Sequence, residues 1–303
     1  FLIENEPEQR LDVRLPFKCF RALEDAAHKR YGEEAGYPFV GYSSKGSTVT
    51  IITAQSGLHQ MAAVALQGWI EGGMRTELRN RGMGDLSARF SAVYDLRLNA
   101  LDDQLWLSVK KTDGALIYVK DGFETVIAVI EIGVSESYRR LTADLELWMQ
   151  VFQCHTGLLF SLSEKPKFRY PTGAVSANDV VPFGNAMAAV NLNQPFGPYH
   201  YNGHDWFGKL GAAFMELYRR DPLTGTVLPP TRFNVVEDGQ MLLQGANANL
   251  GLTIADLFPA GEQDIHGIEA ALIHLDADRV RELLGRGALI TAKSRFTDAV
   301  GHR

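Results

Sequence analysis

Two carboxylates stand out by residue type and spacing. Asp113 sits in Thr112-Asp113-Gly114, just ahead of the apolar run Ala115–Val119, and Glu131 interrupts the nearly uniform apolar run Glu124–Ile132. A charged carboxylate in a core strand is seldom buried without a partner. If the two runs are neighbouring strands of a meander, their ends lie side by side and both acids face one cavity. Carboxylates that close repel unless a cation sits between them. An all-oxygen donor set suits Mg2+ or Mn2+, which activates water and stabilises a phosphorane-like transition state. Plainer readings stand beside this one. An Asp in a turn hydrogen-bonds backbone amides, and Glu131 would equally serve a structural ion pair.

The elements that must position these acids are legible from periodicity. A helix is expected over Phe17–Tyr31 and a Val/Ile-rich strand over Thr48–Thr53. Ser56 then caps a long helix from Leu58 to Arg79, which Gly72-Gly73 kinks or ends. Strands follow at Arg89–Leu98, Leu105–Val109, Ala115–Val119 and Glu124–Ile132, the last placed centrally by its uniform apolar character. Ser135 or Ser137 caps the next helix, whose stripe is Tyr138, Leu141, Leu145, Trp148, Met149 and Phe152. Arg139, Arg140, Asp144 and Glu146 lie off that stripe and read as a solvated face. Leu158–Leu162 is a further strand. Ser163–Asn202 reads as loops, Trp206–Tyr218 as a helix, and Arg232–Val236 with Met241–Leu243 as a hairpin. Asp276 opens a last helix that stops near Gly287.

The order helix, strand meander, helix, strand, with Asp before a hairpin and Glu on the next strand, resembles the PD-(D/E)XK (restriction endonuclease-like) superfamily. The segment EIGVSESYRRLTADLELW, Glu131–Trp148, looks like uncharacterised fungal members of it. LHQ at Leu58–Gln60 is similar to their Leu-His-Glu. The similarity spans about Val49 to Leu162, and is weaker at LTIADLFP (Leu252–Pro259) and in the RELL…TAKSR tail.

The resemblance implies a restriction-endonuclease-like α/β core, a mixed sheet meander between helices, with N- and C-terminal additions. The expected division is one domain over 1–303, with a nuclease-like core at 48–162, an N-terminal addition at 1–47 and an irregular and helical C-terminal addition at 163–303. It makes Asp113 and Glu131 the metal-binding acids for Mg or Mn, with Glu136 and Arg139 in the catalytic set. His59, Gln60, Lys111 and Ser135 are cleft residues in that reading. Three positions depart from the pattern: Thr112 stands for Pro, Gln60 for an acid and Glu136 for a Gln. A fourth is more serious, because Gly133 stands where the family's lysine should be. Either another cation (Arg139, Lys120 or Lys111) has taken that lysine's place, or the site has lost activity.

The expected function is therefore metal-dependent cleavage of nucleic-acid phosphodiesters, possible as a homodimer. The alternative is a degenerate scaffold that binds nucleic acid or protein. A third reading, a structural partner protein, needs the aromatic segment Tyr199–Trp206 as an exposed surface. His200 and His204 stand four apart, but Gly203 and the loop composition argue against a helical metal pair. The 303 residues carry net charge −6, which argues against a broad nucleic-acid-binding face but not against a local one. Two distant cysteines form no disulfide framework, and no apolar run approaches the roughly 20 residues of a membrane span. An intracellular protein is expected, cytoplasm or nucleus undetermined. The start at Phe1 without a signal-peptide pattern suggests that the true N-terminus is cut away.

Overall fold

The computed structural model describes residues 10–31, 39–43, 46–52, 55–94, 96–101, 107–171, 175–189, 195–245 and 248–301. The protein is α/β, with mixed sheet and helices. The first elements among the described residues are β1 (Arg10–Arg14), α1 (Phe17–Tyr31), β2 (Phe39–Ser43) and β3 (Thr48–Ile52). Next come α2 (Gly57–Asn80), the short α3 (Gly84–Ser87), β4 (Phe90–Tyr94), β5 (Arg97–Leu101) and β6 (Leu107–Lys111). Then β7 (Gly114–Lys120), β8 (Phe123–Val134), α4 (Tyr138–Gln150) and β9 (Thr156–Lys165) complete the expected core. Beyond it lie α5 (Val180–Ala188), β10 (Tyr199–Tyr201), β11 (His204–Phe207), β12 (Lys209–Arg219), β13 (Thr231–Glu237) and β14 (Gln240–Met241). The chain closes with β15 (Ala248–Thr253), β16 (Leu272–Leu275) and α6 (Ala277–Gly301).

The main sheet has seven strands in the order β14-β13-β12-β9-β8-β7-β4. Among the described strands only β8 and β9 run parallel, joined by the α4 crossover, which is the connection a parallel pair requires. Val- and Ile-rich β8 is sealed on both faces. Its Ala128, Ile130 and Ile132 pack under α2, and its Val129 packs under Leu141, Leu145, Trp148 and Met149 of α4. A second sheet, β1-β3-β2-β6-β5, joins the N-terminal strands to the β5–β6 pair, with α1 against it through Phe20.

Helix α6 lies along α2 at a crossing made of small residues. A Cβ on Gly287 would come within 2.8 Å of Leu58 Cα, and one on Gly57 within 2.4 Å of the Ile290 side chain. The contact also caps α2. Leu58 N donates to Thr291 Oγ1 at 2.9 Å, beside the bond from His59 N to Ser56 Oγ at 3.2 Å, so two amides left open by the first turn are satisfied. At the far end of α6, Arg295 grips Glu164 of β9 through both guanidinium ends, at 2.9 and 2.8 Å.

The first helix, the Ser56 cap, the hairpin through Glu237-Asp238-Gly239 and the core strands lie where periodicity puts them. Several expectations need correction. Trp206–Tyr218 is not helical but forms β11 and β12. Ala, Met, Glu and Leu favour helix in isolation, yet Ala213, Met215 and Leu217 bury one face while Phe214 and Tyr218 bury the other, between β9 and β13. Arg89–Leu98 is two strands in different sheets, because the alternation runs on through the sheet switch. Gly73 and Gly287 end no helix. A Cβ on Gly73 would sit 2.6 Å from Ile273, so each glycine admits a close neighbour instead. The segment from 163 on is less irregular than expected, since it supplies β12, β13 and β14 of the main sheet and α5. Tyr138 is half-exposed, with its hydroxyl on Glu216. Tyr199 and Trp206 are 3% and 2% exposed, so they offer no aromatic surface. His200 and His204 lie on a two-stranded hairpin, with His200 bound to Asp205 at 2.8 Å. Thr53, Asp95, Leu105 and Trp106 of the expected strands lie outside the described residues. Among the described residues no helix is long and apolar enough to cross a membrane.

The α2–α6 crossing yields a paired stability prediction. Gly287→Val, which drives a side chain into the α2 backbone, lowers the unfolding free energy by about 1–3 kcal/mol or more. Gly72→Ala, at an exposed helical position with nothing within 4 Å of the new methyl, raises it by up to about 1 kcal/mol. Urea unfolding of the two variants checks both signs.

Candidate active site

The chain passes from one sheet to the other at Lys110-Lys111-Thr112-Asp113, where β6 of the second sheet ends and β7 of the main sheet begins. Thr112, 1% exposed, secures the passage. Its hydroxyl lies 2.8 Å from the carbonyl oxygens of both Gly114 and Ile130, and its amide donates to Leu96 O at 3.0 Å. That fixed turn holds Asp113 against the start of α2. Asp113 Oδ1 accepts from Gln55 Nε2 at 2.7 Å and lies 2.9 Å from His59 Nε2, while Oδ2 accepts from Ile132 N at 2.7 Å.

Strand alternation turns Glu131 to the α4 face, the same face as Val129. It is 5% exposed. Trp148 Nε1 of α4 donates to its Oε1, and Lys110 Nζ of β6 lies 3.1 Å from the same oxygen and 3.6 Å from Asp144 Oδ2. The lysine also stands 5.6 Å from the Trp148 ring centre, close enough for a cation–π attraction. Burial pushes the Glu131 carboxyl up from its ordinary 4.5 to about 8. The Lys110 ammonium opposes that rise, the Asp113 and Asp144 charges add to it, and the Trp148 hydrogen bond works against it.

Both acids therefore open on one cleft of about 660 Å³, between the second sheet and α4. His59, Lys111, Ser135 and Glu136 line it as well. His59 is buried at 8% exposure and not a surface residue. Gln60 and Arg139 are exposed and do not line the cleft, whereas Gln55 and Arg140 do. Lys120 lies at the opposite end of β7, paired with Glu262 at 2.7 Å. The cation beside the acids is Lys110, which sequence reasoning missed. The signal was present: Lys110 stands three residues before Asp113 at the same chain crossing. At position 133 a Cβ would lie 2.9 Å from Leu141 Cδ2, so a lysine there would have to displace the tip of Leu141 under the first turn of α4.

The arrangement holds two carboxylates and an ammonium around one polar space. Among the described residues no three His, Cys, Asp or Glu side chains group as metal ligands, so a metal here would rest on the Asp113 and Glu131 oxygens and its own waters. Mg2+ accepts such a set, whereas Zn2+ prefers three or four nitrogen and sulfur ligands. No protein-family model matches the chain, and no curated protein or solved structure matches it.

Because the folded Glu131 carboxyl titrates higher than the unfolded one, its contribution to stability is fully present below pH 4.5 and is lost as pH rises through about 8. Gln mimics the protonated acid and does not titrate. In metal-free buffer the Glu131→Gln chain is expected to unfold at nearly the native temperature around pH 5, and above it around pH 8–9. Thermal unfolding across that range checks the sign; a difference that does not grow with pH would mean that burial leaves this carboxyl unshifted.

Proposed function

We propose that the protein is a Mg2+- or Mn2+-dependent nuclease that hydrolyses nucleic-acid phosphodiesters, with a restriction-endonuclease-like core. The observation that carries this reading is Lys110. Its amine stands 3.1 Å from Glu131, in the cleft that Asp113 also lines, so an ammonium accompanies the acids although position 133 is glycine. The strand order supports the same core: α2, the β7–β8 hairpin with Asp113 just ahead of β7 and Glu131 on β8, the α4 crossover, and parallel β9.

Asp113 and Glu131 would hold the metal, which when bound acidifies water and neutralises phosphate charge. Gln55, His59 and the Ile132 amide hold the Asp113 carboxylate in one orientation. Trp148 and Lys110 do the same for Glu131, and Lys110 keeps a positive charge where the pentacovalent phosphorus gains negative charge. In hydrolysis a water oxygen bonds to phosphorus as the ester P–O bond breaks. The displaced sugar oxygen leaves as a hydroxyl, and the water's second proton passes to solvent.

One observation favours the binding-only alternative. Protein donors already occupy both Asp113 oxygens and Glu131 Oε1, and the raised Glu131 pKa of about 8 opposes the charged form a metal needs. A cleavage assay separates the two readings. With Mg2+ or Mn2+, Asp113→Ala and Glu131→Ala should abolish cutting. Lys110→Met should lower kcat by about 100- to 1,000-fold, the usual loss when one charge-stabilising group is removed, while Arg139→Ala leaves it near native. No metal-dependent cutting by a folded native chain would leave the degenerate scaffold.

A further inference from the structure

We propose that the cleft accepts one unpaired nucleic-acid strand and excludes the duplex; this rests on the hydrolytic reading above and names its substrate class. The first support is the shape of the cleft. Its floor holds the acids and Lys110, one wall is the second sheet with Asp12, Thr48 and Thr50, and the other wall is α4 with Arg140 and Leu147. The walls touch. Arg140 Nε lies 3.6 Å from Asp12 Oδ2, and Thr50 Oγ1 holds the other oxygen of Asp12 at 2.7 Å. A duplex, whose major groove alone is about 12 Å wide, does not pass between walls joined at that distance. A single strand needs only the ion pair to part, and a long contact to a half-exposed guanidinium is weak.

Charge gives the second support. Among the described residues the cleft is lined by three Lys or Arg side chains against six Asp or Glu, in a chain of net charge −6. Duplex DNA presents a negative charge about every 1.7 Å along its axis, and this lining has nothing to match such a density. It has enough to hold two or three neighbouring phosphates: Lys110 at the reacting one, with Lys111 and Arg140 beside it. An incoming phosphate exchanges with Asp12 for Arg140. Leu147, half-buried in the α4 wall, gives an unstacked base an apolar contact that a paired base does not need.

The test measures binding without cutting. Fluorescein-labelled oligothymidylate, oligouridylate and the matching dA·dT duplex are titrated with the native chain in EDTA, and again with Ca2+, using fluorescence anisotropy. Either strand is expected to bind at least about tenfold tighter than the duplex, a difference of about 1.4 kcal/mol. The slope of log K against log salt should be near −2, about −0.7 per phosphate. Asp12→Ala should tighten strand binding about two- to threefold, because Arg140 is released, and Arg140→Ala should weaken it. Circular dichroism confirms that both variants fold. Duplex bound as tightly as strand, a slope steeper than about −5, or no binding at all would overturn the proposal. Strand binding with no cutting in Mg2+ or Mn2+ would keep the single-strand site and remove the hydrolytic reading. Faster cutting of duplex than of strand would do the reverse.

Discussion

A carboxylate sealed under a helix must keep its proton or face a cation, and the neighbourhood of Glu131 answers both demands at once. Burial against α4 raises its pKa to about 8, and Lys110 opposes that rise from 3.1 Å away. Truncating either partner would leave the other polar group buried and poorly matched, an arrangement far more costly than a mismatch at the surface. Much of the surrounding architecture follows from this pairing. The second sheet must abut the main one so that β6 can deliver the amine, and Trp148 must lie on the stripe that covers the strand.

The pairing is assembled from strands of different sheets. Lys110 belongs to β6 and Glu131 to β8, and the chain crosses from one sheet to the other at Thr112. The three oxygen contacts of the Thr112 hydroxyl and amide make that crossing stiff, so the lysine and Asp113 keep their separation. The side chains around the acids are therefore placed by packing and by backbone hydrogen bonds, the condition for a preorganised electrostatic site.

Sequence periodicity revealed much of this and concealed the rest for definite reasons. The uniform apolar character of β8 placed it centrally, and Ser56 marked the start of α2, because both signals are local. Local signals failed where contacts over long sequence distance decide. The Ala, Met and Glu of β12 favour helix, but two flanking strands impose extension. The alternation through Arg97 gave no sign that the partner sheet had changed. Gly73 and Gly287 looked like stops because the residues they admit, Ile273 and Leu58, are remote in sequence. Asp113 and Glu131 were legible as out-of-place charges. Lys110 was not singled out, since a lysine at a strand end ordinarily reaches solvent, whereas here it lies against Glu131 of the main sheet and Asp144 and Trp148 of α4. His59, named as a cleft residue from the resemblance, does line the cleft.

The bond from Leu58 N to Thr291 Oγ1 joins residues 233 positions apart. On one side of it lies the helix start that carries His59, and on the other lies α6, near the carboxyl end of the sequence. During synthesis the amino-terminal parts fold first, yet this helix start gains its second cap and its covering only after α6 leaves the ribosome. Contacts of such long sequence separation also form slowly. The geometry around the two acids is thus completed late: until α6 is in place, the helix start that carries His59 lacks its second cap and part of its covering.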